Sequence, residues 1–381
     1  MQAGMGNPPQ QSAGGLIGQI AAVGLLPPRA LTVAITTACN LRCEHCWLEC
    51  SRGGADACLV GVPELQALVQ EFVALGGEEL CITGGEPMTH PAWLEMLAIG
   101  CRPPEVRRVC LQTNATLIDA DTATLLGGEA FGKLSLQVSL DGCHEATHDL
   151  VRGAGSLKQA LRGLRCLVDA GLGGQTTIAF TEMRHNLAEL PQLLELADQL
   201  GVARVIGLTL IEAGGAAGNA ATQLPTAQQY LALLEQFDSD PGFRQRCQDF
   251  GSLPALDWLR GAAASVHAGC RFLERPYVTA RGLLYPCALL QVEAFAGRGV
   301  YRQPLAEVIT AALPVWTGLM QASRKRPKAM SCVASCPGGR HCGGGCLARG
   351  YLHGGSLSAR EDRCELRQAV YAWQARKPAP G

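Results

Sequence analysis

The most constraining feature of this sequence is the grouping of its eighteen cysteines. Three of them, Cys39, Cys43 and Cys46, lie within eight residues, and a second group occupies the last third of the chain. In a reducing compartment, thiols at short fixed spacing are more often metal ligands than disulfides. Cysteines inside apolar runs, such as Cys81 and Cys110, instead suit small buried side chains. The sequence therefore predicts metal centres in two regions.

Charge and hydropathy exclude several classes of function. The net charge is −1 and no run of Lys or Arg forms a basic stripe, so we expect no nucleic-acid partner. No secretory signal is visible, and no apolar run approaches the roughly 18 residues that span a bilayer. We therefore expect a cytoplasmic protein without a membrane partner. Residues 1–30, rich in Gly, Pro, Gln and Ala, are predicted to be a flexible leader.

Six short runs rich in Val, Ile, Leu and Thr alternate with helical segments between residues 31 and 212. Runs with little polar interruption are typical of parallel strands that are covered on both faces. The predicted strands are 31–36, 79–83, 107–112, 134–140, 176–181 and 204–210. Six such units predict an α/β fold, a partial (β/α)6 TIM-like barrel, with its chemistry at the carboxyl ends of the strands.

A Gly- and Ala-rich stretch at 212–225 marks a domain boundary. The predicted organisation is a leader over 1–30, a partial barrel over 31–212, a linker and helical bridge over 213–265, and a small cysteine-rich domain over 266–381. A helix is predicted at 226–237 within the bridge.

The loop after the first strand has the spacing C-x3-C-x2-C. A [4Fe–4S] cluster normally takes four thiolates, so three local ligands would leave one iron open. Zinc is the alternative, although a closed zinc site needs four ligands and no paired Cys or His motif lies nearby.

This loop, with Trp47 next to its last cysteine, resembles the signature of the radical S-adenosylmethionine (SAM) superfamily. Further matches follow in order. The segment Thr83-Gly84-Gly85-Glu86-Pro87 ends the second strand and resembles the GGEP motif. The segment Ser139-Leu140-Asp141-Gly142, followed by His148-Asp149 and Arg152-Gly153, ends the fourth strand and resembles the SLDG…HD..RG segment. The resemblance covers roughly residues 30–212.

The resemblance implies a cluster held by the three-cysteine loop and a SAM molecule bound to its open iron. Reductive cleavage of SAM would give a 5′-deoxyadenosyl radical that abstracts a hydrogen atom from the substrate. The implied SAM-binding residues are Gly84, Gly85 and Glu86 for the amino group, Ser139 and Arg152 for the carboxylate, and Asn114 and Thr181 for the rest of the molecule. The alternatives are a plain turn, helix caps and, for Arg152, a surface salt bridge.

The C-terminal cysteines resemble a SPASM domain, which typically holds two auxiliary [4Fe–4S] clusters. By analogy, one cluster uses Cys270, Cys287 and Cys346, and its fourth ligand is not assigned. The other uses Cys332, Cys336, Cys342 and Cys364. The spacing Cys332-x3-Cys336 departs from the usual C-x2-C, so one extra residue must be accommodated. Two zinc knuckles are the alternative.

The resemblance implies a maturase that oxidises, crosslinks or epimerises a ribosomally made peptide or protein. The substrate would bind directly or through a separate recognition protein, and a flavodoxin or ferredoxin would supply electrons. One alternative is oxidation or decarboxylation of a small molecule, such as a tetrapyrrole side chain, and another is a non-catalytic iron–sulfur scaffold or electron carrier. No residue is assigned to substrate catalysis, and Cys50, Cys58, Cys101, Cys143 and Cys247 have no assigned role.

Overall fold

The computed structural model describes residues 13–48, 50, 57–261 and 270–377, with the backbone alone for residues 13, 260, 261 and 340. One ten-stranded sheet forms its centre, in the order β10-β9-β8-β1-β2-β3-β4-β5-β6-β7. The strands are β1 Ala30–Ala34, β2 Glu79–Thr83, β3 Arg108–Thr113, β4 Leu134–Ser139, β5 Thr176–Glu182, β6 Arg204–Thr209, β7 Gly251–Ser252, β8 Tyr277–Val278, β9 Leu283–Tyr285 and β10 Gly297–Arg298.

Helices separate the strands and continue through the C-terminal region. They are α1 Ala13–Ala22, α2 Val62–Ala74, α3 Trp93–Cys101, α4 Ala120–Leu126, α5 Glu145–Arg152, α6 Ser156–Asp169, α7 Leu190–Leu200, α8 Ala227–Ser239, α9 Pro241–Asp249, α10 Pro254–Gly261, α11 Leu305–Ala329, α12 Cys332–Ser335, α13 Gly339–Cys342, α14 Leu347–Gly354 and α15 Cys364–Ala375.

The predicted barrel strands β1 to β6 are all present, and each pairs in parallel with its neighbour. Alternate residues of these strands pack into the core or face the lumen, as the buried positions of β4 illustrate. The α/β partial barrel expected from the sequence is therefore confirmed. Two additions extend it, because β7 pairs in parallel with β6 and β8 pairs in parallel with β1.

The N-terminal leader was predicted to be flexible, and for part of it that prediction is wrong. Residues 1–12 lie outside the described residues, but α1 is a helix whose Leu16 and Ile20 are fully buried. Both side chains belong to the main hydrophobic core. There α1 packs against α11, which in turn contacts α2. Burial of this apolar face stabilises a segment whose composition alone suggested disorder.

The predicted division at residue 266 falls within residues 262–269, which lie outside the described residues. The described part of the linker and helical bridge contains α8, α9 and α10. The C-terminal region contributes β8 to the barrel sheet, and Leu347 and Val370 belong to the same core as the barrel residues. The barrel and the cysteine-rich region therefore share one sheet and one core.

The helix α11 is long and apolar enough to cross a membrane by length and composition, contrary to the expectation of no such segment. Its apolar face is buried in the protein, however, and Trp316 at its centre has no exposed surface. The indole N–H of Trp316 donates to the Phe295 carbonyl oxygen at 2.9 Å. These contacts are typical of a core helix of a globular protein.

Candidate functional site

A cavity of about 770 Å³ opens at the carboxyl ends of the barrel strands. Segments following all six main strands contribute to its wall, as expected for chemistry on a barrel of parallel strands. Each residue that the sequence predicted for the first cluster or for SAM lies on this wall. They are Cys39, Cys43, Cys46, Gly84, Gly85, Glu86, Asn114, Ser139, Arg152 and Thr181.

The three-cysteine loop is held by backbone hydrogen bonds from distant segments. The Glu44 amide donates to the Val151 carbonyl at 2.7 Å, and the Gly215 amide donates to the Cys46 carbonyl at 2.8 Å. Burial raises the pKa of the Cys39 thiol to about 12, so this thiol loses its proton only when a metal replaces it. The loop therefore places three thiols, as potential metal ligands, on the wall of the cavity.

The glycine pair after β2 is required by its close approach to the cysteine loop. A Cβ on Gly85 would lie 2.2 Å from the Ala38 carbonyl oxygen, and one on Gly84 would lie 2.7 Å from the Thr36 carbonyl oxygen. The Gly85 amide already donates to the Thr36 carbonyl oxygen at 2.9 Å, and the Glu86 amide donates to the Ala38 carbonyl oxygen at 2.8 Å. Any contact of this segment with an ammonium group must therefore use its own carbonyl oxygens, which are the acceptors that an ammonium needs.

Glu86 is buried and braces the turn against β3. Its Oε1 accepts from the Thr113 hydroxyl at 2.8 Å, and its Oε2 accepts from the Asn114 amide at 2.7 Å. Burial raises the pKa of the Glu86 carboxyl to about 7, and these hydrogen bonds oppose that rise. The side chain therefore has a clear structural role in addition to any contact with a ligand.

Asn114 and Thr181 also have local partners. The Asn114 Oδ1 accepts from the Thr116 hydroxyl at 2.7 Å, and its Nδ2 donates to the Asn40 Oδ1 at 2.9 Å. The Thr181 amide donates to the Asp141 Oδ1 at 2.7 Å. These bonds fit the capping and turn alternatives, while the position of both residues on the cavity wall leaves a SAM contact as a prediction.

A buried charge network connects β4, α5 and the cysteine loop. The Arg152 Nε donates to the Asp141 Oδ2 at 2.6 Å, and the His45 Nε2 lies 3.2 Å from the same oxygen. Burial alone would raise the pKa of Asp141, but Arg152 and His45 hold it below its usual value. Arg152 also lies 3.8 Å, through Nη1, from the Cys43 Sγ. Arg152 therefore does not form a salt bridge at the surface. Its guanidinium places a positive charge beside a predicted ligand thiol.

The comparison with known families identifies the barrel. Residues 33–197 match the Radical SAM superfamily. The chain therefore contains a domain of the radical SAM superfamily. As a radical SAM enzyme it uses a [4Fe–4S] cluster and SAM, and the residues on the cavity wall fit both cofactors. Three thiols from one loop would leave one iron of such a cluster open, and the adjacent carbonyls and Arg152 have the polarity that an amino acid group needs.

Relatives of known name align over most of this radical SAM enzyme. It is 26% identical to the mycofactocin maturase MftC of Mycobacterium ulcerans (strain Agy99), over 94% of this chain and 93% of the relative. It is 34% identical to the AdoMet-dependent heme synthase of Methanosarcina barkeri (strain Fusaro / DSM 804), over 46% of this chain and 48% of the relative. Its fold is also that of Streptococcus suis SuiB bound to precursor peptide SuiA, with a TM-score of 0.72, 17% identity and coverage of 92% of this chain and 78% of SuiB.

The C-terminal region, whose cysteine spacing resembles that of a SPASM domain, forms the SPASM-type region of this enzyme. The four thiols of Cys332, Cys336, Cys342 and Cys364 line one small pocket. The extra residue between the first two is accommodated by the helical turn α12. A Cβ on Gly339 would lie 1.9 Å from the Val333 carbonyl oxygen, so this tight turn requires glycine.

Cys270, Cys287 and Cys346 form a second group in the C-terminal region. The thiols of Cys270 and Cys346 both act electrostatically on Cys287, and burial raises the pKa of the Cys287 thiol to about 12. The Cys270 amide donates to the Ser323 hydroxyl at 2.9 Å. Glu361 separates the two cysteine groups, since its Oε2 accepts from the Cys346 amide at 2.8 Å. Burial would raise the pKa of Glu361, but Arg367 and Arg363 hold it at about 2.

Sequence reasoning missed that the C-terminal region forms part of the cavity wall. Leu289, Arg349 and Arg363 line the cavity together with the barrel residues. Arg349 lies shortly after Cys346 and Arg363 directly before Cys364, but no local pattern indicates that their side chains turn toward the barrel. His45 was also missed, although its position between two predicted ligands was a usable signal.

Proposed function

We propose that this enzyme is a maturase that modifies a side chain of a ribosomally made peptide or protein by radical SAM chemistry. The observation that supports this most directly is the cavity, which the barrel and the SPASM-type region line together. Its volume of about 770 Å³ is in the range of cavities that hold a cofactor with part of a substrate. The alignment with MftC, named a maturase, extends across both regions.

In this proposal Cys39, Cys43 and Cys46 hold the cluster, and Ser139 and Arg152 orient the SAM carboxylate. When bound and reduced, the cluster with SAM supplies a 5′-deoxyadenosyl radical that abstracts a hydrogen atom from the substrate. The Arg152 guanidinium is held by Asp141, which leaves its outer nitrogens for a carboxylate on the cavity side. The chain itself therefore binds and orients the reactants.

The distal wall of the cavity supports binding of an apolar part of the substrate. Its side chains include Leu208, Leu210, Ile211 and Leu289, with Trp47 on the cysteine loop. An apolar wall excludes water from the space beside the reactive carbon and prevents side reactions of a radical. We expect the modified residue to contact this wall.

We further propose that the two C-terminal cysteine groups hold auxiliary [4Fe–4S] clusters, with zinc as the alternative at each. In a maturase such clusters accept the electron that remains after hydrogen abstraction or bind the substrate. A flavodoxin- or ferredoxin-type protein would reduce the first cluster, a separate protein could present the peptide, and a reducing cytoplasm suits a chain with eighteen cysteines.

A second candidate is oxidation or decarboxylation of a small molecule such as a tetrapyrrole side chain. The observation that favours it is the relation to the heme synthase together with Arg363, whose guanidinium on the cavity wall suits a propionate carboxylate. This relation spans about half of either chain, whereas the relation to MftC spans nearly all of both.

The test uses anaerobically reconstituted protein with SAM, a strong reductant and one of two substrates. These are the peptide encoded by a short neighbouring reading frame and a propionate-bearing tetrapyrrole. We expect 5′-deoxyadenosine above the uncoupled background and a mass change with the peptide alone. Product from the tetrapyrrole alone would favour the second candidate. Protein that holds about 12 irons but never cleaves SAM would be a scaffold or carrier.

The control is a variant in which Cys39, Cys43 and Cys46 are all changed to Ala. We expect it to hold about four irons fewer per chain and to form no 5′-deoxyadenosine. Unchanged iron content and spectra in this variant would contradict the placement of the SAM-binding cluster in the loop after β1.

A further inference from the structure

The cysteine loop carries a fourth thiol that the three-cysteine motif does not use. Cys50 follows Cys46 at the same spacing, three intervening residues, that separates Cys39 from Cys43. Its Sγ lies 3.7 Å from the Cys46 Sγ. Cys50 also lines the same cavity wall as the three predicted ligands. Four thiols of one short loop therefore lie together where the cluster is expected.

The carboxylates that could bind an open iron from this wall already accept hydrogen bonds. Both carboxylate oxygens of Glu86 accept hydrogen bonds from β3 and its following turn. The carboxylate of Asp141 accepts from Arg152 and from the Thr181 amide. Glu44 accepts from the Asn219 side chain at 2.8 Å. Loss of these bonds would leave buried donors without partners, which costs free energy.

The remaining cysteines do not compete with Cys50 for this position. Of the cysteines in the described part of the chain, Cys50 is the only one outside the predicted ligand set that lines the cavity. Cys58, the next along the sequence, instead donates to the Ala280 carbonyl oxygen at 3.1 Å. A [4Fe–4S] cluster normally takes four thiolates, and this loop alone can supply that number.

We propose that Cys50 binds the fourth iron of the cluster when SAM is absent and that SAM displaces it. The inference rests on the proposed placement of the SAM-binding cluster at this loop. The step is a ligand exchange without change of oxidation state. The iron–sulfur bond to Cys50 breaks, bonds from iron to the SAM amino nitrogen and carboxylate oxygen form, and the proton that the SAM ammonium group loses passes to the released Cys50 thiolate.

This exchange has two consequences for the enzyme. The open iron is shielded from other ligands until SAM arrives. The apparent affinity for SAM is also lowered, because only the fraction of protein with a free iron can bind it. If Cys50 occupies the iron nine-tenths of the time, the apparent Kd for SAM is raised about tenfold.

Thiol footprinting tests the exchange directly. The reconstituted, full-length protein is treated with iodoacetamide under anaerobic conditions, with and without SAM, and alkylation of each cysteine is measured by mass spectrometry. We expect Cys50 to be protected without SAM and alkylated at least about threefold more with SAM. Cys166, on α6 away from the cavity, serves as the internal reference and should be labelled equally in both samples.

The matched variants are Cys50→Ala and Cys166→Ala. We expect Cys50→Ala to retain its iron, to bind SAM about tenfold more tightly, and to show an altered electron paramagnetic resonance spectrum without SAM only. The Cys166→Ala variant should match the wild type in all three measurements. Equal labelling of Cys50 in both samples, with equal SAM affinity of wild type and Cys50→Ala, would overturn the proposal.

Two further outcomes separate this inference from the function on which it rests. Loss of iron in Cys50→Ala similar to that of the triple cysteine variant would make Cys50 an obligatory ligand and would also overturn the exchange. Wild-type protein that binds SAM normally and cleaves it, but shows no change in Cys50 labelling, contradicts the exchange alone. The maturase proposal would then stand.

Discussion

Glu182 is a buried carboxyl at the end of β5 that the cofactor chemistry does not use. It has no exposed surface, and its Oε2 accepts a hydrogen bond from the Tyr230 hydroxyl of α8. In the described part of the structure its Oε1 has no hydrogen-bond partner. Burial raises the pKa of Glu182 to about 8, so the carboxyl is neutral at pH 7 in the folded protein.

This pKa makes stability depend on pH in a definite direction. Between about pH 4.5 and pH 8 the unfolded chain has lost the Glu182 proton while the folded protein still holds it. The free energy of unfolding therefore falls as pH rises through this range. We expect Glu182→Gln to be more stable than the wild type by about 1–3 kcal/mol at pH 8 and nearly equal to it at pH 4.5.

The measurement is the midpoint of thermal unfolding at several pH values. The exposed Glu145→Gln variant removes a carboxylate of the same kind and should follow the wild-type curve. Parallel curves for Glu182→Gln and the wild type would show that Glu182 is ionised in the folded state.

At the scale of elements, α1 shows how tertiary packing overrides composition. The segment AGGLIGQIAA contains three glycines, which disfavour a helix in isolation. Leu16 and Ile20 lie four residues apart on one face, and both are fully buried. The Arg324 side chain of α11 also donates to the Gly24 carbonyl oxygen at 2.9 Å. The helix is therefore held by its neighbours and not by local propensity.

We expect Leu16→Ala to lower the free energy of unfolding by about 2–4 kcal/mol, because it leaves a cavity in the core. The matched variant is Gly18→Ala in the same helix. A Cβ at Gly18 would meet no atom within 4 Å, so this change should raise stability by about 0.5–1 kcal/mol. Chemical unfolding curves measure both effects. Equal stability of Leu16→Ala and the wild type would mean that α1 does not pack on the core.

At the scale of the whole molecule, the buried Arg349 side chain joins the SPASM-type region to the barrel. Arg349 of α14 forms a bidentate salt bridge with Asp362, with distances of 2.7 Å from Nε to Oδ1 and 2.5 Å from Nη2 to Oδ2. The same guanidinium donates to the Thr209 carbonyl oxygen at 3.4 Å and to that of Leu210, both at the end of β6. Arg363 reaches the Thr209 hydroxyl at 3.3 Å. These contacts hold the C-terminal region beside the cavity.

We expect Arg349→Ala to destabilise the protein by about 3–5 kcal/mol, because it leaves the buried Asp362 without its partner. The Arg349→Met variant combined with Asp362→Leu removes both charges and should recover a large part of that loss. Thermal unfolding and limited proteolysis of the anaerobic protein measure the effect. If Arg349→Ala is at least as stable as the double variant, the ion pair does not hold the two regions together.

Much of the barrel and of the candidate site could be predicted because the signals are local. The apolar runs of β1 to β6, the spacing of Cys39, Cys43 and Cys46, and the glycine pair after β2 each lie within a few residues of chain. Carboxyl ends of neighbouring parallel strands must meet at one edge of the sheet, so these signals also placed the site. The SPASM-type cysteines could be recognised in the sequence for the same reason, because their spacing is short and regular.

The sequence by itself thus determined the fold class, the resemblance to the radical SAM superfamily and ten of the residues that line the cavity from the barrel. Only the tertiary structure decided that α1 is a core helix, that Arg152 is buried against Asp141, and that Arg349 docks on β6. The physical reason is that burial and ion pairing depend on neighbours that are distant in sequence. Arg349 and Leu210 are separated by 139 positions in the sequence, and no periodic or spacing signal predicts their contact.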